Sequence, residues 1–127
     1  MEINDIVVID DEDMIRVNLE AFLEDEGYNV VAISNGEDAI NFFEKTSKKI
    51  DLAIIDVRLP GIDGSEVALI INKISPDTIC IMHTGSSEYV LPQELCDIGM
   101  TEDQVIFKPL VEMQVLLDLM NDLASKC

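Results

Sequence analysis

Tryptophan is absent, and aromatic residues make up only 5% of the 127-residue chain. Basic residues are scarce too: 8 Lys plus Arg stand against 26 Asp plus Glu, a formal net charge of −18. A surface this acidic repels phosphate backbones and anionic headgroups, which disfavours direct nucleic-acid binding and membrane attachment. No apolar run approaches the roughly 20 residues that a spanning helix requires. The opening Met1-Glu2-Ile3-Asn4-Asp5 lacks the basic, apolar and cleavage regions of a signal peptide. Cysteine is limited to Cys80, Cys96 and Cys127, an odd number without C-x-x-C spacing. That usage fits free thiols in a reducing cytoplasm better than a disulfide frame or a zinc site. No linker, repeat or low-complexity tract divides residues 1–127, and the length suits one domain with one core.

What is present is apolar and periodic: 48% of residues are hydrophobic. Five short runs, Ile6–Ile9, Val30–Ile33, Leu52–Ile55, Thr78–Met82 and Gln104–Phe107, are mostly apolar throughout. Runs of that kind fit strands covered on both faces, as in a parallel sheet. Between them lie helical stripes: Ile15, Leu19, Phe22 and Leu23; Ala39, Phe42 and Phe43; Val67, Ile70, Ile71 and Ile74; Met113, Leu116, Leu117 and Met120. Asn35 with Asp38, and Asp63 with Glu66, read as helix starts, and Gly27 as a left-handed helix end. Pro92 limits the fourth helix to about Pro92–Ile98, with the proline in its first turn. Strands alternating with helices predict a (βα)5 doubly wound parallel sheet of order 2-1-3-4-5, with its functional edge at the carboxyl ends of the strands.

Chemistry-bearing residues stand at those ends. Asp10-Asp11-Glu12-Asp13 follow the first strand, Asp56 the third, His83-Thr84-Gly85 the fourth and Lys108-Pro109 the fifth. The topology therefore gathers Asp10, Asp11, Asp56, Thr84 and Lys108 on one rim. Clustered carboxylates raise one another's pKa unless cations compensate them. Lys108 is one such cation, and a hard divalent ion held by few carboxylates and retained waters suits Mg²⁺. Cation, lysine and hydroxyl together grip a phosphoryl group. A carboxylate inside that grip is already a nucleophile, so an aspartyl phosphate is the natural product.

These residues resemble the receiver domain of two-component response regulators, across essentially the whole chain. Asp10-Asp11 resembles its acidic pair, and Asp56-Val57-Arg58-Leu59-Pro60-Gly61-Ile62-Asp63-Gly64 its phosphoacceptor stretch D-x-x-L/M-P-x-x-D-G. Thr84-Gly85 and Lys108-Pro109 match its hydroxyl and lysine–proline pairs. The resemblance implies a flavodoxin-like, chemotaxis-regulator-like fold and phosphorylation of Asp56 by a histidine kinase or histidine phosphotransfer protein. It implies Mg²⁺ held by Asp11, Asp56 and the Arg58 carbonyl, with Asp10 contributing partly through water. Lys108 pairs with a phosphoryl oxygen, a cis Lys108–Pro109 peptide accompanies it, and Thr84 couples the site to the face of helix 4, strand 5 and helix 5. An effector protein or a homodimer would read that face. Such a domain catalyses only its own phosphorylation and dephosphorylation and is not classed as an enzyme.

Two departures and two alternatives bear on this expectation. Val105 stands three positions before the lysine, where the family often has an aromatic switch, which puts a rotating aromatic readout in question. Arg58 places a long cation at the mouth of the site. A pseudo-receiver scaffold without phosphorylation is opposed by the intact five-residue set. A phosphohydrolase using an aspartyl phosphate commonly needs a second acid at position 58, which is Arg. No effector domain follows the last helix of this sequence, so output is expected through protein contact unless the chain is a fragment of a longer one. His83 and Cys80 read as structural, Met100, Met113 and Met120 as packing residues, and Glu12, Glu24, Asp25 and Glu26 as solvated surface.

Overall fold

The computed structural model describes residues 1–126. Strands β1 (Asp5–Ile9), β2 (Asn29–Ile33), β3 (Leu52–Asp56), β4 (Ile79–Thr84) and β5 (Val105–Phe107) alternate with helices α1 (Asp13–Asp25), α2 (Gly36–Lys45), α3 (Gly64–Ile74), α4 (Gln93–Asp97) and α5 (Met113–Ser125). All strand pairs are parallel, in the order β2-β1-β3-β4-β5. The doubly wound topology expected from the alternating runs and stripes is the one found. Among the described residues no helix is long and apolar enough to cross a membrane.

The pleat of each central strand divides its side chains between two cores. Val7, Ile9, Ala53, Ile55, Cys80 and Met82 pack with α2, α3 and α4 residues such as Phe43, Val67, Ile71 and Leu95. Ile6, Val8, Leu52, Ile54 and Ile81 pack with Leu19, Leu23, Leu116 and Met120 of α1 and α5. Burial of β3 on both faces explains its unbroken apolar run. The helix stripes supply the facing residues, and each large aliphatic chain removed from water contributes roughly 1.5–3 kcal/mol.

Helix ends follow the local chemistry. Asn35 accepts the Asp38 N–H at 2.8 Å, and Asp63 accepts the Glu66 N–H at 3.0 Å. Gly27 adopts φ 98° beyond α1, where a side chain would be strained.

Several boundaries differ from the sequence expectation. His83 and Thr84 do not follow β4 but end it, paired across the sheet with Ile106 and Phe107, and Asp56 likewise ends β3. Polarity does not stop a strand whose backbone groups are already in a ladder. Pro92 is the N-cap of α4, not a first-turn residue. Gln104 belongs to a short 3₁₀ turn, where its side chain accepts the Thr101 N–H and donates to the Cys80 carbonyl. This complete capping box at Thr101–Gln104 was not anticipated. Cys80 is buried, and burial pushes its thiol up to about 12, as a structural cysteine should behave. Cys96 is exposed, and Cys127 lies outside the described residues.

Candidate functional site

Three loop geometries bring the strand ends together. At the end of β1 the Asp10 N–H still bonds the Ile33 carbonyl at 3.1 Å, so the sheet ladder fixes the backbone one residue past the strand. The Asp10 side chain then turns back, and Oδ1 accepts the Glu12 N–H at 2.9 Å. Past β3, the Val57 N–H bonds the His83 carbonyl at 3.1 Å, and the Gly64 N–H returns to the Val57 carbonyl at 2.9 Å. Past β4, Thr84 Oγ1 accepts the Ser86 N–H at 3.1 Å, while the Thr84 carbonyl receives the Lys108 N–H at 2.7 Å. That last bond ties the lysine to the threonine strand.

Gly64 closes the loop that carries Asp56. A Cβ there would collide with the Asp56 carbonyl oxygen, which is backbone and cannot swing away. Gly64→Ala is expected to destabilise the fold by about 2–3 kcal/mol through overpacking. A lowered urea midpoint with an unchanged slope would show it, and an unchanged midpoint would show that the loop relaxes freely.

The rim itself holds a dense set of charges. Asp10, Asp11 and Asp56 each offer a carboxylate oxygen, all within 4.8 Å of one another. Lys108 Nζ sits 3.1 Å from Asp10 Oδ2, 3.3 Å from Asp56 Oδ2 and 3.0 Å from Glu12 Oε1. The Asp10 and Asp56 side chains are nearly fully buried, at 2% and 5% exposure. Asp56 Oδ1 also accepts the Arg58 N–H at 3.2 Å. A cleft of about 490 Å³ opens onto this rim between Asp11, Asp56, Arg58, Thr84 and Lys108. A larger one, about 540 Å³, lies at the amino ends of β4 and β5 and touches none of the five.

Electrostatics follow from that crowding. Burial raises the Asp56 carboxyl to about 7, with further upward pushes from Asp10 and Asp11; Lys108 and the Arg58 N–H pull the other way without cancelling them. Burial opposes the charge on Lys108, but the hydrogen bond to Glu12 and the charges of Asp10 and Asp56 outweigh it and raise its pKa. One ammonium does not neutralise three acids. Asp10 Oδ2 is buried and, apart from its ion pair with Lys108, accepts no aligned hydrogen bond. An acid group with surplus negative charge, hard oxygen donors and an under-satisfied buried oxygen is a donor set that fits a divalent cation.

All five rim residues expected from the sequence, Asp10, Asp11, Asp56, Thr84 and Lys108, converge, and the Lys108–Pro109 peptide is cis. Thr84 is buried at 3% exposure, with its hydroxyl engaged by Ser86. Glu12 is exposed, as expected of solvated surface, but its carboxylate also hydrogen-bonds Lys108, a contact not expected from the sequence. Its position directly after the acidic pair was the available signal. Val105 is buried in the α2–α3–α4 core, whereas Phe107, two residues on, is 45% exposed.

Residues 6–121 match the family model of the response regulator receiver domain. The chain is 33% identical over 111 residues to the regulatory protein VanRc of Enterococcus gallinarum, covering 87% of this chain and 46% of that one. It is 30% identical over 94 residues to sporulation initiation phosphotransferase F of Bacillus subtilis, covering 74% of each. The structure resembles the response regulator protein TrrA of Thermotoga maritima, solved in complex with Mg²⁺–BeF, with a TM-score of 0.79 and 32% identity over 95% of this chain and 99% of that one. Fold, site and relatives agree: the chain belongs to the response regulator receiver domains, which are signalling modules. It spans less than half the length of several curated relatives, VanRc among them.

Proposed function

We propose that Asp56 accepts a phosphoryl group from a phosphohistidine on a histidine kinase or histidine phosphotransfer protein. A carboxylate oxygen of Asp56 attacks phosphorus, an O–P bond forms, and the P–N bond breaks with its electron pair leaving on the imidazole nitrogen. Lys108 stands beside the attacking group and supports the charge that accumulates on the phosphoryl oxygens. Thr84, at the neighbouring strand end, supplies its O–H to one of them, since the Ser86 N–H occupies only a lone pair of its oxygen. Asp10, Asp11, Asp56 and the Arg58 carbonyl would hold Mg²⁺, which supplies charge neutralisation when bound. The single observation carrying this reading is a buried Asp56 carboxylate 3.3 Å from Lys108 within a cluster of acids.

The same reading places the protein in the cytoplasm with its kinase, and its output on the α4–β5–α5 face. Exposed Phe107 of β5, Val115 of α5 and Val111 between them are available to an effector or a second copy. The phosphohydrolase reading is disfavoured by Arg58, which can serve as neither general acid nor base at neutral pH. The scaffold reading is disfavoured because an idle site has no use for a buried acid cluster of this cost.

Incubation with Mg²⁺ and acetyl phosphate is expected to add one phosphoryl group per chain by intact mass, and EDTA to prevent it. Continuous phosphate release from unrelated phosphomonoesters would favour the enzyme. No modification under any donor would favour the scaffold.

A further inference from the structure

Lys108 makes its best-aligned contact with the wrong partner for phosphoryl chemistry. Of the three carboxylates around Nζ, Glu12 is the nearest at 3.0 Å and the one joined by a hydrogen bond. Asp10 and Asp56 are locked in place, with side-chain exposures of 2% and 5%. Glu12 is 58% exposed, sits as N-cap of α1, and is tethered at its backbone by Asp10 rather than at its carboxylate. It is the member of the set that can leave.

An ammonium has three donors; here one is hydrogen-bonded to Glu12, and Asp10 and Asp56 lie within ion-pair distance of the same nitrogen. A phosphoryl group on Asp56 needs at least one of those donors. Glu12, the exposed and hydrogen-bonded partner, is the acid that has to give one up, since Asp10 and Asp56 stay at the site as cation ligands and phosphoryl acceptor. A glutamate oxygen at this spot has the charge and hydrogen-bonding character of a phosphoryl oxygen, and it adds a negative charge beside a site that must receive more. We propose that Glu12 is a positioning residue that occupies Lys108 in the unphosphorylated state and competes with the phosphoryl oxygens for it. This rests on the assignment of Asp56 as acceptor. Glu12 thereby sets how tightly the site holds a phosphoryl group, weakening it by the strength of one half-exposed charged contact.

The test is beryllofluoride affinity at saturating Mg²⁺, followed by amide chemical shifts, in wild type, Glu12→Gln, Glu12→Ala and a control, Asp13→Asn. Asp13 carries the same charge one residue further on but contacts Arg16 instead. Both Glu12 variants are expected to bind beryllofluoride about three- to fivefold more tightly, the range of a partly exposed ion pair. Asp13→Asn is expected to stay near wild type, and Mg²⁺ affinity in the Glu12 variants to stay equal or fall. Unchanged or weaker beryllofluoride binding in Glu12→Gln, or an equal gain in Asp13→Asn, would overturn the proposal. If folded wild type shows no Mg²⁺-dependent response to beryllofluoride, the assignment of Asp56 fails first, and the role of Glu12 with it.

Discussion

Asp56→Asn is expected to make the metal-free protein more stable while abolishing its phosphorylation. The buried Asp56 carboxyl has a pKa near 7 because burial, Asp10 and Asp11 all disfavour its charge. The folded chain therefore keeps a proton between about pH 4 and 7 that the unfolded chain releases. Stability from this group is full below pH 4 and is lost as pH rises through 7. At pH 8 the ionised carboxylate costs the fold on the order of 4 kcal/mol. Asparagine removes that cost while keeping the shape and an acceptor for the Arg58 N–H. Thermal melts in EDTA at pH 8 should place the variant above wild type, with the gap closing as pH falls toward 4. Added Mg²⁺ should also narrow it, since a cation relieves the same repulsion in wild type. A less stable variant in EDTA at pH 8 would mean that the cluster is already compensated.

Replacing His83 with leucine should give the opposite pH signature. This sole histidine is 2% exposed, and neither ring nitrogen has a partner. Burial, then the nearby Lys108 charge, lower its pKa to about 4, with Glu12 pulling weakly the other way. The folded chain keeps it neutral while the unfolded chain protonates it below about 6.5. Stability from His83 is thus present above pH 6.5 and lost as pH falls toward 4. An apolar side chain of similar reach escapes that loss and removes two unsatisfied nitrogens, worth about 1–3 kcal/mol at any pH. The advantage of His83→Leu in urea should grow by roughly 2–3 kcal/mol between pH 7.5 and 4. Parallel stability curves would show that the ring is solvated or paired. Since Asp56 and His83 slope in opposite directions across this range, only the single variants expose either effect.

These two residues also mark what the sequence could and could not reveal. The five-strand order and the convergence of Asp10, Asp11, Asp56, Thr84 and Lys108 were legible because each residue stands within two positions of the end of an apolar run, and a parallel sheet aligns the ends of such runs. The Asn35 and Asp63 caps were legible because their bonds are local, reaching three residues along the chain. The extension of β4 through His83 and Thr84 was not, since it depends on pairing with Ile106 and Phe107 far away in sequence. Glu12 was missed for a related reason. Its partner lies 96 residues away, and its place directly after the acidic pair was the one hint that this carboxylate reaches across. The unpaired ring of His83 is likewise a property of its surroundings, not of its neighbours in the chain.

The most direct test of the site is where a phosphoryl group lands. After reaction with acetyl phosphate and Mg²⁺, borohydride reduction converts an aspartyl phosphate to homoserine, which peptide mass spectrometry locates. Homoserine at position 56, and at no other acid of the cluster, is the result expected from the buried carboxylate beside Lys108. Homoserine at position 10 or 11, or label retained on a histidine, would contradict it.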